Sequence, residues 1–159
     1  MNDIYKEDND IEFEIRFLEG ILKHNPNYIE GLVILGDFYT KQGLYEKGLI
    51  VDEKLSILQP QDPFVHYNLA CSYSLVKDVS KALRSVKKAI RCGYNNFEYL
   101  EQDTDLTNLR EDLRFQDYYA RLKKRFLDAA RDVDLPEEKD KEPEENFAQG
   151  INDGENSPA

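Results

Sequence analysis

Tryptophan is absent from the chain, methionine occurs once, and only two cysteines and two histidines stand among its 159 residues. Cys71 and Cys92 form no C-x-x-C pair and sit beside no histidine cluster, so neither a zinc motif nor a disulfide framework is written here. Reduced, partly buried thiols are the expectation. His24 and His66 stand apart from each other and from any nucleophile, and read as structural residues. No Gly-rich phosphate loop and no histidine motif occurs, so no catalytic residue, no metal ligand and no cofactor is assigned. No run of about 18 apolar residues exists, which leaves no candidate for a membrane-crossing helix. The opening MNDIYKEDND is acidic where a secretory leader would be basic and then apolar. A cytoplasmic protein with no membrane partner is expected.

What is present is enough for one modest core: 40% hydrophobic residues, 11% of all residues being aromatic. The net charge of −11 is unevenly spread, because ten acidic and two basic residues lie from Asp132 to Ala159, leaving −3 for everything before them. That tail, with three prolines, two glycines and few apolar groups, cannot offset its ordering entropy by burial. Residues 132–159 are expected to be a disordered acidic tail, and residues 1–10 a flexible N-terminus.

Laid against itself, the chain repeats at an offset of 34 residues. Leu32, Leu35, Gly36 and Tyr39 return as His66, Leu69, Ala70 and Tyr73; Gly48, Leu49 and Leu55 return as Ala82, Leu83 and Ala89. Helix signals agree with this spacing. Asn27 with Glu30 reads as a capping box, and Asp62-Pro63 as an N-cap followed by an N1 proline. Gly43, and Lys77-Asp78 one period later, mark tight turns, so each unit is helix, turn, helix. Small residues at 36, 70, 48 and 82 let the paired helices approach, while Tyr39 and Tyr73 fill the space alongside.

This pattern resembles the tetratricopeptide repeat. Repeats span 29–62 and 63–96, with departures at Leu32 and His66 for the usual tryptophan, Asp52 and Val86 for the second aromatic, and Tyr94 for the proline. Residues 11–26, carrying Ile11, Ile15, Leu18 and Leu22, look like the second helix of a leading half repeat. The resemblance implies an all-α, short right-handed helical-hairpin solenoid with capping helices at both ends, occupying residues 11–131.

The acidic stretch Asp103 to Phe115 invites a metal reading, but an EF-hand loop needs glycine at its sixth place and glutamate at its twelfth, where this chain has Asn108 and Arg114. Its pattern is instead similar to the end-of-group segment that closes some bacterial tetratricopeptide arrays, with Leu100, Asp103, Asp105, Leu106, Leu109, Arg110, Asp112, Arg114 and Phe115 in register and only Leu113 departing. Asp103 and Asp105 are expected to cap the short helix carrying Leu106 and Leu109, Asp112 the next helix, and Arg110 and Arg114 to pair locally with them. From Phe115 an apolar stripe of Tyr118, Tyr119, Leu122 and Phe126 reads as a final capping helix, with a partner-binding helix as the alternative within 97–131.

The family resemblance implies a non-enzymatic adaptor or scaffold holding a peptide or helix of an unidentified partner protein in a groove lined by the first helix of each repeat. Helical projection assigns Val33, Asp37 and Thr40, with Glu30, Ile34 and Lys41, to one repeat. It assigns Phe64, Tyr67, Asn68, Cys71 and Ser74, with Leu75, to the next. At the places where one subclass of the family grips chaperone C-termini with Lys, Asn and Arg, this chain has Val33, Asp37, Asn68, Glu98 and Gln102, and such binding is not expected. The alternative is a nucleic-acid-associated protein using the basic stripe Arg84, Lys87, Lys88 and Arg91, beside Lys81.

Overall fold

The computed structural model describes the backbone of residues 3–133, with side chains described from Asp10 to Phe126 and at Asp128. Of the tail expected over 132–159, Asp132 and Val133 belong to the last helix, and residues from 134 onward lie outside those described. Within residues up to Lys123, one compact unit forms. It is a tetratricopeptide-like helical-hairpin solenoid of α1 (Asp3–His24), α2 (Ile29–Lys41), α3 (Tyr45–Leu58), α4 (Pro63–Leu75) and α5 (Val79–Arg91). Short α6 (Phe97–Gln102), a 3-10 turn (Thr104–Leu106), α7 (Thr107–Arg110) and α8 (Leu113–Val133) follow. Helix α1 begins at Asp3, eight residues ahead of the expected start of the leading half repeat.

The helix boundaries follow the local chemistry of α4 more closely than that of α2. Asp62 accepts hydrogen bonds from the backbone N–H groups of Phe64 and Val65 at 2.8 and 3.1 Å, with Pro63 at the first helical position. The expected Asn27 cap is corrected: Tyr28 is the N-cap residue of α2 and gives it no side-chain bond. The Tyr28 ring lies over the first turn, where a Cβ on Gly31 would come within 2.5 Å of it. Between paired helices, a Cβ on Gly36 would stand 3.4 Å from Val51, and one on Gly48 would stand 3.3 Å from the Thr40 hydroxyl. Ala70 and Ala82 are fully buried in the corresponding places.

Two apolar clusters result. One gathers Ile15, Leu18, Leu32, Leu35, Tyr39, Val51 and Leu55, with Val65 reaching in from α4. The other joins α4 and α5 to the end segment through Leu83, Val86, Leu100, Leu106, Leu109 and Phe115. Leu55, Leu100, Leu106 and Leu109 are essentially inaccessible to water, each burial contributing about 1.5–3 kcal/mol. The end segment is therefore a lid on the last helix pair.

Tyrosines link successive helices with the same period. The Tyr39 hydroxyl donates to Glu19, and the Tyr73 hydroxyl to Glu53, each at 2.6 Å. Lys47 lies over the Tyr39 ring and Lys81 over the Tyr73 ring, at 5.3 and 5.1 Å. Burial, and then the accepting carboxylate, pushes both phenols up, Tyr73 to about 12. Two departures from the repeat pattern also find their reasons. His66 is buried with its Nε2 2.9 Å from the Pro60 carbonyl, and Tyr94 stacks on Tyr67 with ring centres 4.4 Å apart.

Candidate functional site

A groove of about 440 Å³ opens between α2, α4 and the end segment. Six of the eight residues expected in a partner groove line it: Val33, Asp37, Thr40, Tyr67, Asn68 and Cys71. Two do not. Phe64 is exposed beside it, edge-on to Tyr94 at 5.9 Å. Ser74 is a correction: it is fully buried, its hydroxyl accepts from the Leu109 N–H at 3.3 Å, and its carbonyl accepts from the Asn108 side chain at 2.8 Å. Projection of α4 alone misplaced it, because α7 covers the C-terminal end of that helix.

Val33 and Ile34 give the groove an apolar wall, each more than 40% exposed. Asn68 is exposed, whereas Tyr67 and Cys71 form a floor with little accessible surface. The Tyr67 hydroxyl donates to Oδ2 of Asp103 at 2.6 Å, and the Cys71 thiol reaches the same oxygen at 3.6 Å. Burial above all, then the neighbouring Asp103 carboxylate, pushes the Cys71 thiol well above its ordinary range. Burial, the neighbouring Cys71 and the hydrogen bond to Asp103 likewise raise the Tyr67 phenol. Neither group is prepared to act as a nucleophile near neutral pH.

The structure adds residues that the projection missed. Asp52 on α3 and Asp103 and Asp105 after α6 line the same groove, with Tyr99 beside them. Asp52 is buried and accepts from the Ser72 hydroxyl at 2.5 Å. Burial raises its carboxyl to about 6 against the lowering effect of that hydrogen bond. Burial, then the negative charge of Asp103, also raises Asp105. The Asp52 position was visible as a carboxylate where the repeat pattern wants an aromatic. That it reaches a surface formed by other helices was not.

The capping roles in the acidic stretch divide differently from expectation. Asp103 caps the 3-10 turn, accepting from the Asp105 N–H at 2.9 Å, and Asp112 caps α8, accepting from the Arg114 N–H at 2.9 Å. Asp105 caps nothing and opens into the groove. Arg114 pairs with Asp112 at 2.7 Å and, as the main cause, lowers that carboxyl to about 2. Arg110 donates to the Asp103 main-chain carbonyl instead of a carboxylate.

The basic stripe on α5 splits in two. Arg84, Lys88 and Arg91 line a shallow depression of about 400 Å³ with Lys81, Ser85 and His66. Lys87 instead sits over the Tyr118 ring at 4.9 Å. Among the described residues no helix is long and apolar enough to cross a membrane.

No family model matches the chain. It is similar to a chloroplastic protein of Arabidopsis thaliana, 30% identical over 92 residues, which cover 56% of this chain and 28% of that protein. The chain thus spans little more than a quarter of that relative. Its fold is similar to the solved structure "MamA 41-end from Desulfovibrio magneticus RS-1", with a TM-score of 0.61, 20% identity, and coverage of 82% of this chain and 72% of that one.

Proposed function

We propose that this helical-hairpin solenoid is a non-enzymatic interaction module whose groove between α2, α4 and the end segment holds a peptide or helix of a partner protein. The observation that carries this reading is the groove itself, where exposed apolar side chains at Val33 and Ile34 stand over a floor of fixed polar groups. The domain is taken as residues 11–131, comprising a leading half repeat (11–26), repeats at 29–62 and 63–96, and a bacterial-type end-of-group segment with its capping helix (97–131). The tetratricopeptide-like fold supports an adaptor or scaffold role, which needs no cofactor, and we place that role in the cytoplasm. Carboxylates around the groove would repel an anionic C-terminus, which argues against the chaperone-tail mode.

The test is a crosslinking pull-down from the source cell. Asn68→Trp places a bulky ring on an exposed groove position and leaves the core intact, whereas Arg84→Glu with Lys88→Glu inverts the α5 depression. A partner lost with Asn68→Trp and retained by the α5 variant supports the groove. Loss only with the α5 variant, together with steeply salt-dependent binding to RNA or DNA, favours the nucleic-acid alternative.

A further inference from the structure

We propose that the groove's occupant is a cationic segment, a stretch of protein chain that places Lys or Arg side chains against the carboxylates lining the groove, Asp103 with Asp105 and separately Asp52, and lays an aliphatic neighbour against Val33 and Ile34. This rests on the groove being a peptide site. Among the described residues four carboxylates line the groove and no basic residue does. Asp37 is the only one of the four with an ion pair among the described residues, to Lys41 at 2.6 Å. Asp52 is held by the neutral Ser72 hydroxyl, Asp103 by the Tyr67 hydroxyl, the Cys71 thiol and the Asp105 N–H, all uncharged, and Asp105 accepts no hydrogen bond from the described residues. Arg110, which does not line the groove, donates to the Asp103 main-chain carbonyl and to the Thr107 hydroxyl, and pairs with no carboxylate among the described residues.

Carboxylates withdrawn from water without a cation are held at a cost, which a cationic visitor removes. The raised Asp52 and Asp105 carboxyls express that same unmet demand. Tyr99, half exposed on the groove wall, adds a ring face suited to an ammonium or guanidinium group. Neutral or acidic segments would gain from the apolar wall alone and would leave the carboxylates unpaired. The chain's own acidic tail has the wrong sign for this site.

The test selects binders from a library of random twelve-residue peptides on the full-length chain. Synthetic copies are then titrated by fluorescence anisotropy against wild type, Asp52→Asn, Asp105→Asn and Asn68→Trp. Asn at 52 keeps an acceptor for Ser72 and discards a buried charge. Asp105 supports no cap, so both variants should fold, as circular dichroism would check. The expected result is enrichment of Lys and Arg and weakening by about tenfold or more in Asp52→Asn and Asp105→Asn. Affinity should also fall as sodium chloride rises from about 50 to about 500 mM. Peptides without Lys or Arg that bind wild type and fail on Asn68→Trp would overturn the cation inference and leave the groove reading standing. Peptides indifferent to Asn68→Trp, or no selected binder, would overturn both. Calcium or magnesium retained stoichiometrically by wild type and lost in Asp52→Asn would show metal ligands in place of a peptide site.

Discussion

At the turn between its two helices, the pair α2–α3 uses Gly43 with φ of 70°, and the pair α4–α5 uses Lys77 with φ of 64°. At their helix starts the contrast reverses: α4 and α5 carry side-chain caps from Asp62 and Asp78, while α2 and α3 have none. Inside, the first pair buries Asp52 where the second buries Val86. It also places Leu55 where the second has Ala89, whose space is filled by the end-segment cluster. One register of 34 residues therefore tolerates different solutions at each place, provided that local geometry and volume are met. The first pair gives up caps and an apolar core residue and contributes a carboxylate to the groove.

Exchanging residues between the pairs breaks this comparison in graded steps. Leu55→Ala imports the second pair's residue without its lid, and should cost about 2–5 kcal/mol by urea denaturation. Asp52→Val imports Val86 and should make stability less dependent on acidity. The folded Asp52 carboxyl titrates at about 6, above its unfolded value near 4, so the folded chain binds the extra proton in that window. Wild-type stability therefore falls as pH rises from about 4 to about 6, by roughly 2 kcal/mol relative to Asp52→Val. Denaturation midpoints of the two proteins across that range check the sign.

Asp62→Ala should cost about 1 kcal/mol, whereas Asn27→Ala should change stability by much less, since α2 has no side-chain cap to lose. Lys77→Gly, importing the first pair's turn, should raise stability by about 0.5–1 kcal/mol by relieving a left-handed backbone conformation. Thermal unfolding suffices to compare these last three.

The features legible in the sequence are those set by short-range periodicity. The helix pairs, the small residues at 36, 48, 70 and 82, the Asp62 cap and the leucines of the end segment all occupy the places their spacing implies. The Glu19–Tyr39 and Glu53–Tyr73 links obey the same offset and were available to the same comparison, but a glutamate one helix back carries no local signature. The groove was legible only where a single helix decides exposure. Val33 and Asn68 face it because of their own helical phase. Ser74 is sealed by α7, and Asp52, Asp103 and Asp105 arrive from other elements, so their positions depend on how helices meet. Asp105, which reads as a cap from its spacing, lies inside the 3-10 turn that Asp103 caps, its own N–H donating to Asp103, while the next helix has Leu106 at its N-cap.

The central claim is that the face made by α2, α4 and the end segment is the binding face. A photo-crosslinking side chain placed at Asn68, and separately at Arg84 on α5, tests it within the source cell. The account predicts a discrete adduct from position 68, diminished by Asp52→Asn and Asp105→Asn, and none from position 84. An adduct from position 84 with none from position 68 would contradict it.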